Sequence, residues 1–304
     1  METMEEQREM EDRLSYTIRT IDDVTVVDLI GELDMYTLPL AQELLNTLLS
    51  DQRNKIIFNL AKLRYVDSSG LGFFTGTLKN VRQRGGDMKL VNLSSYISRI
   101  FALIHLDYFI DVFESTREAA ESFKEALENA IEKHRKAVEL NQGYPDAHLK
   151  LGLSYRAKGE YEKAINELKE AVTLNPDYAE AWLALGKAFK DRALLKEAEE
   201  NLKKALELDP KSAETLAELG MLYGDRKMLV EAEAKFRAAI DLNPGYADYH
   251  FYLAEVLRSQ GKKVEAVNEY REALAINQSY IRARLLLAQT LLELGQEDEG
   301  RENL

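Results

Sequence analysis

Leu151-Gly152, Leu185-Gly186 and Leu219-Gly220 stand 34 residues apart, and Leu253-Ala254 and Leu287-Ala288 continue the spacing. A period of this length commits that part of the chain to stacked units, because one such unit cannot bury its own apolar face. Three residues after each small position comes a large one: Tyr155, Phe189, Tyr223, Leu257 and Leu291. Ala164, Ala198, Ala232 and Ala266 follow, then Ala171, Ala205, Ala239 and Ala273. Asn175-Pro176, Asp209-Pro210 and Asn243-Pro244 close three units. Small residues let two antiparallel helices approach, large ones interlock, and proline ends the helical run between units.

Four units run from Pro145 to Tyr280, and Ile281 onward supplies a fifth first helix expected to end near Gly295-Gln296 as a cap. Upstream, Ala130, His134 and Ala137 fit the second helix of a unit that lacks its first. Thr116 to Leu140 holds no breaker, so the last helix of whatever precedes should merge with this half-repeat or abut it through a short, stiff linker. The pattern resembles the tetratricopeptide repeat. That resemblance implies an all-α solenoid whose first helices line a concave groove. By the family register the groove positions are Leu149, Leu153, Leu183, Lys187, Met221, Phe251, Glu255, Leu285 and Gln289. An amphipathic helix or extended peptide of a protein partner suits such a strip; the other reading is that some of these side chains are buried between repeats. Trp182 occupies the family's bulky packing position.

The residues before the repeats follow other periods. Tyr16 to Ile21 alternates apolar with polar, Asp22-Asp23 signals a tight turn, and Val24 to Leu33 is a second strand, together a hairpin. Leu38 to Leu49 reads as a helix with Pro39 in its first turn. Ile56 to Leu60 is a third strand, Ser68 to Arg84 a helix ended by Gly85-Gly86, Met88 to Asn92 a strand, Ser94 to Leu103 a helix, and Ile110 to Phe113 a short strand. Alternation from Ile56 onward implies right-handed crossovers and parallel pairing in one mixed sheet.

Between the third strand and its helix lies Val66-Asp67-Ser68-Ser69-Gly70-Leu71-Gly72. Asp67, Ser68 and Ser69 are all good N-caps, so the run can be a capped turn. It can also present a hydroxyl where backbone dipoles favour an added anion. Gly70, Gly72 and Gly76 would allow close backbone approach by a partner, or tight packing of the helix on the sheet. With Gly31-Glu32-Leu33-Asp34 and Met88-Lys89-Leu90-Val91-Asn92, the run resembles a STAS domain of the anti-sigma factor antagonist type. The resemblance implies Ser68 as a phosphoacceptor, with Asp34, Asp67, Ser69 and Gly70 contacting the partner. It further implies a serine kinase of histidine-kinase-like fold that is also an anti-sigma factor, and a PPM-type phosphatase that resets the switch.

The expected order is thus a charged tail over 1–13, an α/β STAS-like domain over 14–124, and an all-α domain of tetratricopeptide repeats over 125–304. A net charge of −13 argues against nonspecific nucleic-acid binding or an anionic membrane surface as partner. With no cysteine there is no disulfide framework. The first residues carry no apolar core, and no apolar run is long enough to span a bilayer, so a cytoplasmic location is expected. His105, His134, His148 and His250 are scattered without metal-ligand spacing, and no nucleophile elbow or phosphate loop occurs. No catalytic residue, metal or cofactor is assigned. The function the two resemblances imply is a regulatory adaptor, a phosphorylatable partner switch joined to a protein-binding scaffold. The alternative is a constitutive repeat scaffold whose STAS domain only docks or oligomerises.

Overall fold

The computed structural model describes residues 13–51, 53–278 and 280–302; the charged tail, apart from Arg13, and the last two residues lie outside them. The chain forms two compact units that divide between Ala126 and Leu127.

In the first unit, β1 (Leu14–Ile21) and β2 (Val24–Leu33) form the antiparallel hairpin, with Asp22 left-handed at its turn. Then come α1 (Leu38–Ser50), β3 (Lys55–Val66), α2 (Ser68–Gln83), β4 (Asp87–Val91), α3 (Ser95–Leu103), a 3-10 turn (Leu106–Tyr108) and β5 (Val112–Phe113). The sheet order is β1-β2-β3-β4-β5, and every pairing after the hairpin is parallel. Parallel pairing thus begins at β2 with β3. β3 runs six residues beyond the Leu60 boundary expected from the sequence, to Val66. Two register shifts against β2, between Asp28 and Ile30 and between Gly31 and Glu32, break the simple alternation there. Gly31 has a φ of +110°, and a Cβ on it would lie 2.0 Å from the Arg13 carbonyl oxygen, so only glycine fits.

One face of the sheet buries Leu29, Phe58 and Leu90 under the helices, with Phe58, Phe73, Phe74 and Phe101 in a cluster of ring centroids 5.5 to 5.9 Å apart. On the other face Val24, Val26, Ile57 and Val91 pack with Ala119, Ala120 and Phe123 of α4 (Thr116–Leu140). Beside them Lys89 is buried, its ammonium 2.8 Å from Asp111 and about 5 Å from the rings of Phe113 and Phe123.

The second unit begins within α4. It continues as antiparallel pairs: α5 (Pro145–Ala157) with α6 (Tyr161–Leu174), α7 (Ala179–Asp191) with α8 (Leu195–Leu208), α9 (Ala213–Asp225) with α10 (Leu229–Leu242), and α11 (Ala247–Ser259) with α12 (Lys263–Ile276). α13 (Ile281–Glu293) follows. The chain does not stop helically at Gly295: after that left-handed residue it re-enters α14 (Glu297–Glu302), whose acidic first turn suits the helix dipole. The small positions do what their spacing requires. A Cβ on Gly152, Gly186 or Gly220 would lie 2.6, 2.7 or 2.9 Å from Leu168, Leu202 or Phe236 of the facing helix.

One repeated device was not read from the sequence. Trp182 Nε1 donates to the Pro176 carbonyl at 2.8 Å, His148 Nε2 lies 3.0 Å from the Gln142 carbonyl, and His250 Nε2 lies 3.3 Å from the Pro244 carbonyl. The same helical position thus ties down the turn six residues before it. In each histidine Nδ1 also meets a carboxylate at 2.8 Å, Glu167 or Glu269.

Candidate functional site

The first site lies where parallel β2 and β3 end. In parallel sheets this carboxyl edge is where turns collect functional groups. Gly70 sets the position of α2, because a Cβ there would stand 2.5 Å from the Leu33 carbonyl and 2.7 Å from Val66 Cγ2. Asp67 is the N-cap. Its Oδ1 accepts from the Ser69 and Gly70 amides at 2.8 and 3.0 Å. Its Oδ2 accepts from the Met35 amide at 3.2 Å, joining the β3–α2 turn to the β2–α1 turn. Ser68, the first residue of α2, is exposed, and its hydroxyl is engaged by no other described residue.

The β2–α1 turn is built by Asp34. Its Oδ1 accepts from the Tyr36 and Thr37 amides at 3.0 Å, and Arg13 Nη2 reaches Oδ2 at 3.1 Å. Asp34 is 6% exposed. Its carboxylate is engaged by the turn, so Asp34 shapes the site from beneath. Gly70 is likewise buried. The turn instead presents Met35 and Tyr36, about 60% exposed, which the sequence did not single out. Beyond Ser69, a cavity of about 390 Å³ runs between α1 and α2 past Gln42, Gly72, Gly76 and Thr77. Gly72 and Gly76 face open space, unlike Gly70. Thr77 is fully buried, and its hydroxyl has no partner among the described residues.

In the second unit the expected groove residues differ in depth. Leu149 and Phe251 are buried, 2% and 0% exposed, so they belong to the core rather than to an open groove wall. Phe251 stacks on Tyr280 with centroids 4.9 Å apart. Leu153, Leu183, Lys187, Met221 and Glu255 are half-buried, and Leu285 and Gln289 are exposed. Lys187 is 2.7 Å from Glu214, and Glu255 accepts from the buried Tyr270 hydroxyl. A cavity of about 350 Å³ opens at Met221, Gly224, Phe251 and Glu255.

A family model for the STAS domain matches residues 15–120. A second, described as the Cilia and flagella-associated protein 70 C-terminal domain and built of tetratricopeptide repeats, matches residues 114–304. An anti-sigma-B factor antagonist of Staphylococcus epidermidis is 36% identical over 105 residues, 34% of this chain and 97% of the relative. The Staphylococcus aureus (strain NCTC 8325 / PS 47) protein of the same name is 36% identical over 103 residues, 34% of this chain and 95% of its own length. The chain belongs to the STAS family in its first unit and to the tetratricopeptide-repeat family in its second.

Among solved structures, the tetratricopeptide protein YrrB superposes with a TM-score of 0.50 at 20% identity, covering 57% of this chain and 90% of that one. The Cut9–Hcn1 tetramer gives 0.50 at 18%, covering 56% and 34%. These two likenesses bear on the repeat fold. Among the described residues no group of three or more His, Asp or Glu could hold a metal ion, and no helix is long and apolar enough to cross a membrane.

Proposed function

We propose that the chain is a non-enzymatic regulatory adaptor in which phosphorylation of Ser68 switches the STAS unit between protein partners while the repeats hold a further protein segment. The observation that carries this reading is the exposed, unengaged Ser68 hydroxyl beside the exposed Met35 and Tyr36, on a unit 36% identical to anti-sigma-B factor antagonists. A partner that buries Met35 and Tyr36 gains apolar area. A phosphate on Ser68 adds about −1.5 to −2 charges at that surface. Burying that charge without a matched cation costs several kcal/mol, enough to exclude the partner. Because Ser68 sits at a helix N-terminus, the anion suits the dipole and leaves α2 folded. The switch therefore works on the surface, with Asp67 and Ser69 holding its shape.

The expected agents are a histidine-kinase-like serine kinase acting also as anti-sigma factor, and a PPM-type phosphatase. Leu153, Leu183, Lys187, Met221, Glu255 and Leu285 form the proposed groove for a peptide or helix, with Leu149 and Phe251 supporting it. The test is incubation of the full chain with the cognate kinase and ATP, followed by phosphosite mapping and partner capture by Ser68→Ala and Ser68→Asp. Label at Ser68, with capture by Ser68→Ala but not Ser68→Asp, is expected. Label elsewhere, or equal capture by both, would make the STAS unit a constitutive docking domain. Leu153→Asp with Leu183→Asp tests the groove separately by loss of a second captured protein.

A further inference from the structure

Two departures from the repeat register of the second unit meet at one cavity. Arg156, Lys190, Arg258 and Leu292 occupy one helical position in four units, but the third carries Gly224. A side chain there would enter open space. Asp146, Glu180, Glu214 and Asp248 begin four first helices, but the fifth carries Arg282. Acids suit a helix N-terminus and a cation opposes the dipole there, so Arg282 is the unfavourable choice for α13 itself. Its guanidinium lies 5.0 Å from the centre of the Phe251 ring and forms no ion pair with any described residue.

Gly224 and Arg282 both line the 350 Å³ cavity, where half-buried Met221 and Tyr252 offer the apolar surface and Phe251 and Val256 lie buried beneath them. Most other charges there are already engaged. Lys190 pairs with Glu218, and Glu255 takes the Tyr270 hydroxyl and stands 3.8 Å from Arg258. Lys227 and Asp225 remain on the rim without an ion pair among the described residues. The cavity therefore offers an apolar floor and two uncommitted cations against one uncommitted acid, in a chain whose net charge is −13. A cation over an aromatic face, left without a carboxylate, is a receptor for one.

We infer that this cavity anchors an acidic peptide segment of the partner, which inserts one aromatic side chain past Gly224 and sets a neighbouring carboxylate against Arg282 and Lys227. The inference rests on the groove reading and deepens it by naming the ligand chemistry. The missing side chain at Gly224 makes the room, and Arg282 supplies the sign selection.

The test is fluorescence polarisation of the full chain with labelled pentapeptides Ser-Asp-Phe-Glu-Ser, Ser-Asn-Phe-Gln-Ser, Ser-Lys-Phe-Arg-Ser and Ser-Asp-Ala-Glu-Ser. The acidic aromatic peptide should bind at least tenfold more tightly than the other three. Gly224→Arg and Arg282→Glu, which restore the residue types of the neighbouring repeats, should each weaken it at least tenfold with the melting temperature held. Absence of binding at millimolar peptide, indifference to peptide charge, or equal binding by both variants would overturn the inference. If the peptide binds and only Leu183→Asp weakens it, the groove stands and this anchor falls. If no peptide binds, the anchor is refuted, and the groove is judged by the Leu153 and Leu183 capture experiment.

Discussion

Gly70, Gly72 and Gly76 lie on one helix, and alanine should act on them with opposite signs. At Gly70 the new Cβ would stand 2.5 Å from the Leu33 carbonyl, 2.7 Å from Val66 Cγ2 and 2.9 Å from Leu33 Cγ. The carbonyl is part of a strand and cannot withdraw as a flexible side chain would. Overpacking of this kind costs about 1–3 kcal/mol, and the better helix propensity of alanine returns about 1 kcal/mol. Gly70→Ala should therefore lose up to about 2 kcal/mol. At Gly72 and Gly76 a Cβ meets nothing within 4 Å. Only the propensity term acts there, and the double alanine variant should gain about 2 kcal/mol. Trp182, the sole tryptophan, lies in the second unit, so its fluorescence would not report this change. Hydrogen exchange at the Met35, Ser69 and Gly70 amides, held by Asp67, reads the site directly. At about 1.4 kcal/mol per decade, exchange should quicken by up to roughly thirtyfold in Gly70→Ala and slow roughly thirtyfold in the double variant. Slower exchange in Gly70→Ala, or faster exchange in Gly72→Ala, would refute the division of the three glycines into packing and open positions.

His250 turns Nδ1 and Nε2 toward two acceptors, an arrangement the imidazolium satisfies at both nitrogens, and the hydrogen bond to Glu269 raises its pKa against the opposing effect of burial. With the folded value above the unfolded one, its stabilisation is full below about pH 6.5 and is lost as pH rises through the folded value. Urea midpoints of the second unit should fall over that window, and His250→Gln should flatten its contribution. Ala193 holds a φ of +57° at the turn where Gly159, Gly261 and Gly295 stand in other units. Ala193→Gly should raise the stability of the second unit by up to about 1.5 kcal/mol, read as a higher urea midpoint, the left-handed strain of about 1–2 kcal/mol less the backbone entropy of glycine. Thr77→Val removes a buried hydroxyl that has no partner among the described residues, and should stabilise the STAS unit by about 1 kcal/mol in thermal unfolding. Asp67→Ala removes two cap hydrogen bonds and the tie to Met35, and should cost about 1–2 kcal/mol while speeding proteolysis of the β2–α1 turn.

The repeats were legible because each helix pair faces the same packing problem, and the same small residue recurs wherever backbones approach. The strand and helix order was legible from period changes, and failed where pairing departs from alternation. β3 continues past Leu60 through exposed Ala61 and Lys62, which read as the end of a strand. Ile110 is buried beside β5 without belonging to it, so apolarity overran pairing. At the carboxyl edge of β2 and β3, residue type identified Asp34 and Asp67 alike, yet one carboxylate closes a buried turn and the other caps a helix at the surface. Register placed Leu149, Phe251 and Leu285 on one helical face. Their depth depends on neighbours such as Tyr280 and Tyr270, which no single-position rule supplies.

Helix α4 shows why the two families can share one chain without a dedicated spacer. Its first turns bury Ala119, Ala120 and Phe123 against the STAS sheet, closing the face that α1 to α3 leave open. Its last turns bury Ile131 and bring His134 Nδ1 to 3.0 Å from Ser154 on α5, the place a second repeat helix would fill. An amphipathic helix can do both because the two tasks fall on separate turns. The consequence is asymmetric. A chain ending after Leu140 keeps every described element of the STAS unit. A chain beginning at Pro145 deprives α5 of the helix that His134 and Lys158–Glu128 hold against it. The isolated repeats should therefore unfold from α5 inward, and restoring residues 127–140 should slow hydrogen exchange in α5 while leaving that in α12 unchanged.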